Sequence, residues 1–104
     1  MPDHPKLDHA LFKSVADQLM AALQIVIEGR TYRVTRTGSQ RFRTVRFAIA
    51  GREYQAIEQN PEKPSRWGQL AREGRRVVQF RDLQTHKYVA VAVDGEIREY
   101  GQGT

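Results

Sequence analysis

Three segments of this chain repeat one pattern: apolar residues alternating along a strand, a two-residue turn ending in glycine, and a returning strand. They are Ile25-Val26-Ile27-Glu28-Gly29-Arg30-Thr31-Tyr32, Phe47-Ala48-Ile49-Ala50-Gly51-Arg52-Glu53-Tyr54 and Val91-Ala92-Val93-Asp94-Gly95-Glu96-Ile97-Arg98. A period of two sends every second side chain to the same face of a sheet. Glycine in the turn accepts the positive φ that a two-residue hairpin demands. Asp94-Gly95 is the strongest of the three signals, and Glu28-Gly29 and Ala50-Gly51 are weaker versions of it.

A hairpin turn fixes register, and register decides which residues are buried together. Glu28-Gly29 sets Ile27 opposite Arg30 and Ile25 opposite Tyr32. A turn at Gly38-Ser39 sets Tyr32 opposite Val45, Val34 opposite Arg43 and Arg36 opposite Arg41. Ala50-Gly51 sets Phe47 opposite Tyr54, Val45 opposite Ala56 and Arg43 opposite Glu58. The three registers agree in placing Ile25, Ile27, Tyr32, Val34, Val45, Phe47 and Tyr54 on one face. They predict a four-stranded antiparallel meander.

Ahead of the strands, Leu7, Leu11, Val15, Leu19 and Leu23 recur every four residues, with Phe12, Ala16 and Met20 beside them and Lys13, Asp17 and Gln18 opposite. This predicts an amphipathic helix of about four turns lying on the apolar face of the sheet, with Asp3 or Asp8 to cap its start. Beyond the fourth strand, the breaker cluster Asn60-Pro61-Glu62-Lys63-Pro64 leads to Ser65 as N-cap and a short helix over residues 66–73, closed by Gly74. Residues 76–81 and 87–93 read as strands, paired Phe80 with Val89 and Val78 with Val91, and a last strand runs from Ile97 to Tyr100. The order is α-ββββ-α-βββ. The fold class is α+β: one antiparallel β-meander sheet or partly closed barrel, one long N-terminal helix and one short helix, in a single domain over residues 1–104 with frayed ends near 1–6 and 101–104.

Composition then narrows the function. With 104 residues there is room for one modest core. The absence of cysteine removes disulfide frameworks, thiolate metal sites and cysteine nucleophiles. No apolar run approaches the ~20 residues of a membrane span and the N-terminus is not a signal sequence, so no membrane partner is expected and the simplest placement is cytoplasmic. His4, His9 and His86 complete no metal set. No nucleophile elbow, phosphate loop or paired catalytic carboxylate is present. The expectation is a non-enzymatic domain without cofactor.

Charge is the remaining signal. Residues 30–52 hold seven arginines and no acid, in a chain whose formal net charge is +5, so everything outside that stretch is net acidic. Guanidinium groups bind phosphate through a bidentate fork, and lysine is absent between Met20 and Pro61. Arg30, Arg33, Arg36, Arg41, Arg43 and Arg46, with Phe42 as a base-stacking ring and Thr31, Thr35 and Thr44 as neutral donors, form the candidate surface for nucleic acid or another polyanion. Lys63, Ser65, Arg66 and Trp67 at the start of the short helix form a secondary anion site. Trp67, Leu70 and Ala71 are also the side on which that helix would pack. The competing expectation is a protein-interaction or assembly domain, with an acidic protein or a second copy (a homodimer) joined through a strand edge.

Overall fold

The three glycine turns form as the alternation requires. In the computed structural model, which describes residues 9–37 and 41–100, Glu28-Gly29, Ala50-Gly51 and Asp94-Gly95 all have positive φ at both positions, the signature of a two-residue type I′ hairpin. They join β1 (Gln24–Ile27) to β2 (Arg30–Arg33), β4 (Phe42–Ile49) to β5 (Arg52–Glu58), and β7 (Lys87–Val93) to β8 (Glu96–Glu99). Between these lie β3 (Thr35–Thr37), β6 (Val77–Asp82) and two helices, α1 (His9–Ala21) and α2 (Arg66–Arg72). The fold is α+β and every strand pair is antiparallel. β3 to β8 form one six-stranded meander in chain order, open at both ends, and β1–β2 is a separate two-stranded ribbon. Among the described residues no helix is long and apolar enough to cross a membrane.

α1 buries Phe12, Val15, Ala16 and Leu19, the stripe that a 3.6-residue period brings to one side. Phe12 is its anchor. Its ring centroid lies 4.7 Å from Phe80, 5.4 Å from Tyr54 and 6.2 Å from Phe47, so a single helix residue contacts β4, β5 and β6. Removing a phenylalanine of this kind costs roughly 3–5 kcal/mol, a large share of a small domain's stability. The helix ends at Ala21, so Leu23 is not part of its apolar stripe and stands 73% exposed. The proposed caps Asp3 and Asp8, and the ends expected to fray, lie outside the described residues.

The β1–β2 and β4–β5 registers match the turn arithmetic, with Ile25 opposite Tyr32 and Phe47 opposite Tyr54. Two other pairings differ. The expected second strand is interrupted at Val34, whose N–H donates to Leu23 O at 2.9 Å, so β2 stays with β1 while β3 joins β4. The β3–β4 ladder pairs Thr35 with Thr44 and Arg36 with Arg43, two residues away from the pairing that a Gly38-Ser39 turn dictates. That turn lies outside the described residues. Because the displacement is two, side-chain parity survives and only the partners change.

The second difference is a single-residue displacement. Phe80 faces Ala90 and Val78 faces Ala92, not Val89 and Val91, and a β-bulge separates Phe80 from Arg81. Valine and alanine alternate along β7, so both of its faces are apolar and the pattern cannot choose between registers. The bulge inserts Val89, which packs with Ala90 against the α1 core. Val91 and Val93 turn to the other face and, with Val77, form a second core under Trp67, Leu70, Ala71 and Tyr100. The sheet is thus covered by α1 across its inner face and by α2 over part of its outer face.

α2 starts at Ser65, whose hydroxyl accepts from the Gly68 N–H at 3.1 Å. The preceding loop is held against it by Arg72, whose guanidinium donates to Pro61 O and to Lys63 O. A Cβ at Gly68 would stand 2.1 Å from Lys63 O. Glycine inside a helix is ordinarily worse than alanine by about 1 kcal/mol, but this contact reverses the sign. Gly68→Ala is expected to destabilise the protein by roughly 1–3 kcal/mol, read as a lower urea midpoint at unchanged m-value.

Candidate polyanion-binding surface

The arginine-rich stretch does not present its side chains as one uniform row. Parity along β4 sends Arg43, Val45 and Phe47 to the α1 side and Phe42, Thr44 and Arg46 to the outer side. Arg43 serves the fold: its Nη1 donates to Leu19 O at 3.0 Å and to Ala22 O at 3.4 Å, closing the carbonyl end of α1, while its backbone N–H donates to Glu58 Oε1 at 3.0 Å. Thr44 is buried as well. Its hydroxyl donates to Ala56 O and accepts from Gln55 Nε2, both at 2.9 Å, so it offers no donor to a ligand. Arg41 lies 3.3 Å from Glu62 and its guanidinium covers the half-buried Phe42 ring at 5.4 Å. That ion pair is exposed on both sides and contributes about 0–1 kcal/mol, weak enough for a phosphate to displace.

Arg30, Arg33, Arg36 and Arg46 are exposed, and among the described residues no carboxylate lies within 4 Å of any of their guanidinium groups. Arg33 and Arg46 lie two residues beyond the Thr35–Thr44 pair on their respective chains. From Arg46 the ladders carry one cross-strand row over the sheet: Arg46 opposite Gln55, Gln55 opposite Arg81, Arg81 opposite Tyr88. Arg81 and Tyr88 join this row without having stood out in the sequence: the expected Phe80–Val89 register already sets Tyr88 opposite Arg81, and the bulge keeps that pairing beside the displaced Phe80–Ala90 pair.

The residues of the secondary site also serve the fold. The Ser65 hydroxyl is the N-cap, the Gln69 N–H donates to Ser65 O at 2.9 Å, and the Arg66 guanidinium lies 5.1 Å over the Trp67 ring. Lys63 is exposed beside them. Trp67 contacts Tyr100 edge-on at 6.2 Å as part of the second core. A cavity of about 170 Å³ opens between α1 and the β7–β8 turn, but its carboxylates are already engaged: Asp17 with Lys13 at 2.8 Å, and Asp94 with Arg75 and the Arg76 N–H. The Arg76 backbone bond, and then Arg75, hold the Asp94 carboxyl below its ordinary range.

A buried ion pair links β5 and β6 on the α1 side of the sheet. Asp82, 5% exposed, accepts from Arg52 Nε at 2.7 Å and from the Gln84 and Thr85 N–H groups, tying β5 to the loop between β6 and β7. Burial works to raise the Asp82 carboxyl. The Arg52 hydrogen bond, the two backbone donors and the Arg52 charge together outweigh it and hold its pKa below the ordinary 3.8. No protein-family model, curated protein or solved structure matches this chain.

The Asp82 arrangement has a pH signature. A carboxylate depressed in the folded state stabilises the protein fully above its unfolded pKa, and that stability disappears as pH falls through the folded value. Urea unfolding followed below about pH 4 is expected to show a loss of stability in the native protein that Asp82→Asn, already weaker at neutral pH, lacks.

Proposed function

We propose that this protein is a small non-enzymatic module that binds nucleic acid through the arginines of its β2–β4 region. One observation supports the reading above the others: Arg30, Arg33, Arg36 and Arg46 stand exposed with no ion-pair partner among the described residues, while Arg41, Arg52, Arg75 and Arg98 each have one. A fold that needed these arginines only for its own stability would pair or bury them, as it does Arg43 and Arg52. Arg36 instead faces Arg43 across the ladder, a like-charge pairing that disfavours folding.

Each phosphate contact adds about −0.9 to the log–log salt slope on duplex DNA and about −0.7 on a single strand. Four contacts therefore give slopes of about −3.6 and −2.8. The double variant Arg33→Gln, Arg46→Gln is expected to halve the slope with an unaltered unfolding curve. Binding that ignores salt, or a slope untouched in the variant, rejects the proposal.

A second reading, an assembly domain, draws on the open sheet: β3 and β8 each have a neighbour on one side only within it. A second copy pairing along β8 would satisfy that edge. Sedimentation velocity without nucleic acid separates the two, with a concentration-dependent dimer expected only under this second reading.

A further inference from the structure

The bulge in the β6–β7 ladder decides where Tyr88 stands. Continued without it, the Phe80–Ala90 register would set Tyr88 opposite Asp82, on the side of Tyr54 and α1. The inserted residue moves Tyr88 opposite Arg81 on the outer face, where it is 47% exposed. It belongs to neither apolar cluster, so core formation does not account for an aromatic ring there. β-Bulges recur where a side chain is re-aimed for use.

The ring is also buttressed. Tyr88 lies 6.4 Å from Tyr100, which packs edge-on against Trp67 and donates its hydroxyl to Gln79 Oε1. Gln79 in turn donates to Gln59 at 2.8 Å. Beside Tyr88, Arg81 donates only its Nε, to His86 O at 3.4 Å, and has no carboxylate partner among the described residues. Gln55, between Arg81 and Arg46, is held by Thr44. Glu53, two residues from Gln55 along β5, flanks the row on one side. The arrangement is two cations and a supported aromatic face in one cross-strand line on an open sheet.

We infer that this row takes a single-stranded nucleic acid, with Arg46 and Arg81 on phosphates and the Tyr88 ring stacked on a base. The inference rests on the polyanion reading and narrows it. Bases in a duplex are stacked on each other and offer no free face to an aromatic ring on a sheet surface, whereas an unpaired base does. Stacking is tolerant of base identity, so the expected ligand is any unpaired strand, without strong sequence preference.

The test compares a fluorescently labelled oligo-dT with a duplex of equal length at one salt concentration, by anisotropy. The native protein is expected to bind the single strand more tightly. Tyr88→Ala is expected to weaken that binding roughly 5- to 150-fold and leave the duplex unchanged, and Tyr88→Phe to retain it. Arg81→Gln is expected to reduce the single-strand salt slope by about 0.7. Equal affinity for the two DNAs with a silent Tyr88→Ala overturns this inference and leaves the polyanion reading standing. No salt-dependent binding to either overturns both. Because Tyr88 is half exposed and outside both cores, Trp67 fluorescence and the unfolding curve of Tyr88→Ala provide the check that the fold is intact.

Discussion

Apolar side chains on both faces of β7 require cover on both faces of the sheet, and much of this architecture follows from meeting that requirement. α1 supplies one cover and reaches β4, β5 and β6 through Phe12. α2, only seven residues long, supplies the other over Val77, Val91 and Val93. A helix that short has little intrinsic stability; it is held by Ser65 at its start, by Arg72 clamped to the loop before it, and by Trp67 against Tyr100. The bulge at Val89 reconciles the two layers by giving each the side chains it can bury.

Covering one face fully and the other partly leaves an open outer surface over β4 to β7. Its polar side chains are largely tied to one another: Thr44 with Gln55, and Gln79 with Gln59 and Tyr100. Such cross-links hold the surface rigid without neutralising the arginines on it. Apart from Glu53 beside Gln55, the carboxylates near this surface are engaged elsewhere. Asp82 is drawn inward to Arg52, Asp94 to Arg75, and Glu58 to the backbone of Arg43. The asymmetry of charge is therefore built by the placement of acids as much as by the run of arginines.

Much of the fold was legible in the residues. Glu28-Gly29, Ala50-Gly51 and Asp94-Gly95 announced their hairpins because few residues other than glycine accept the second turn position, with φ near 80° at each. Ser65 announced α2 through its free hydroxyl, and the pairing of Phe47 with Tyr54 followed from the turn beside it. The candidate site was legible only as a composition. Arg30, Arg33, Arg36 and Arg46 stand out in the sequence as cations, but that Arg43 closes a helix 21 to 24 residues earlier in the chain depends on a contact the sequence does not encode locally.

Taken alone, the amino-acid sequence determined what nearest neighbours along the chain can settle: the element order, the turn types and the parity of strands with one polar face. Tertiary structure decided what depends on competition between distant surfaces. On β7 either register buries valines, so the choice fell to which face α1 and α2 could cover, with the bulge at Val89 returning Tyr88 to the outer face. At Val34 the backbone N–H donates to Leu23 O and keeps this end of the strand with β1 while β3 pairs with β4. In both places local preference was nearly balanced, and the burial of apolar surface against the helices settled the outcome.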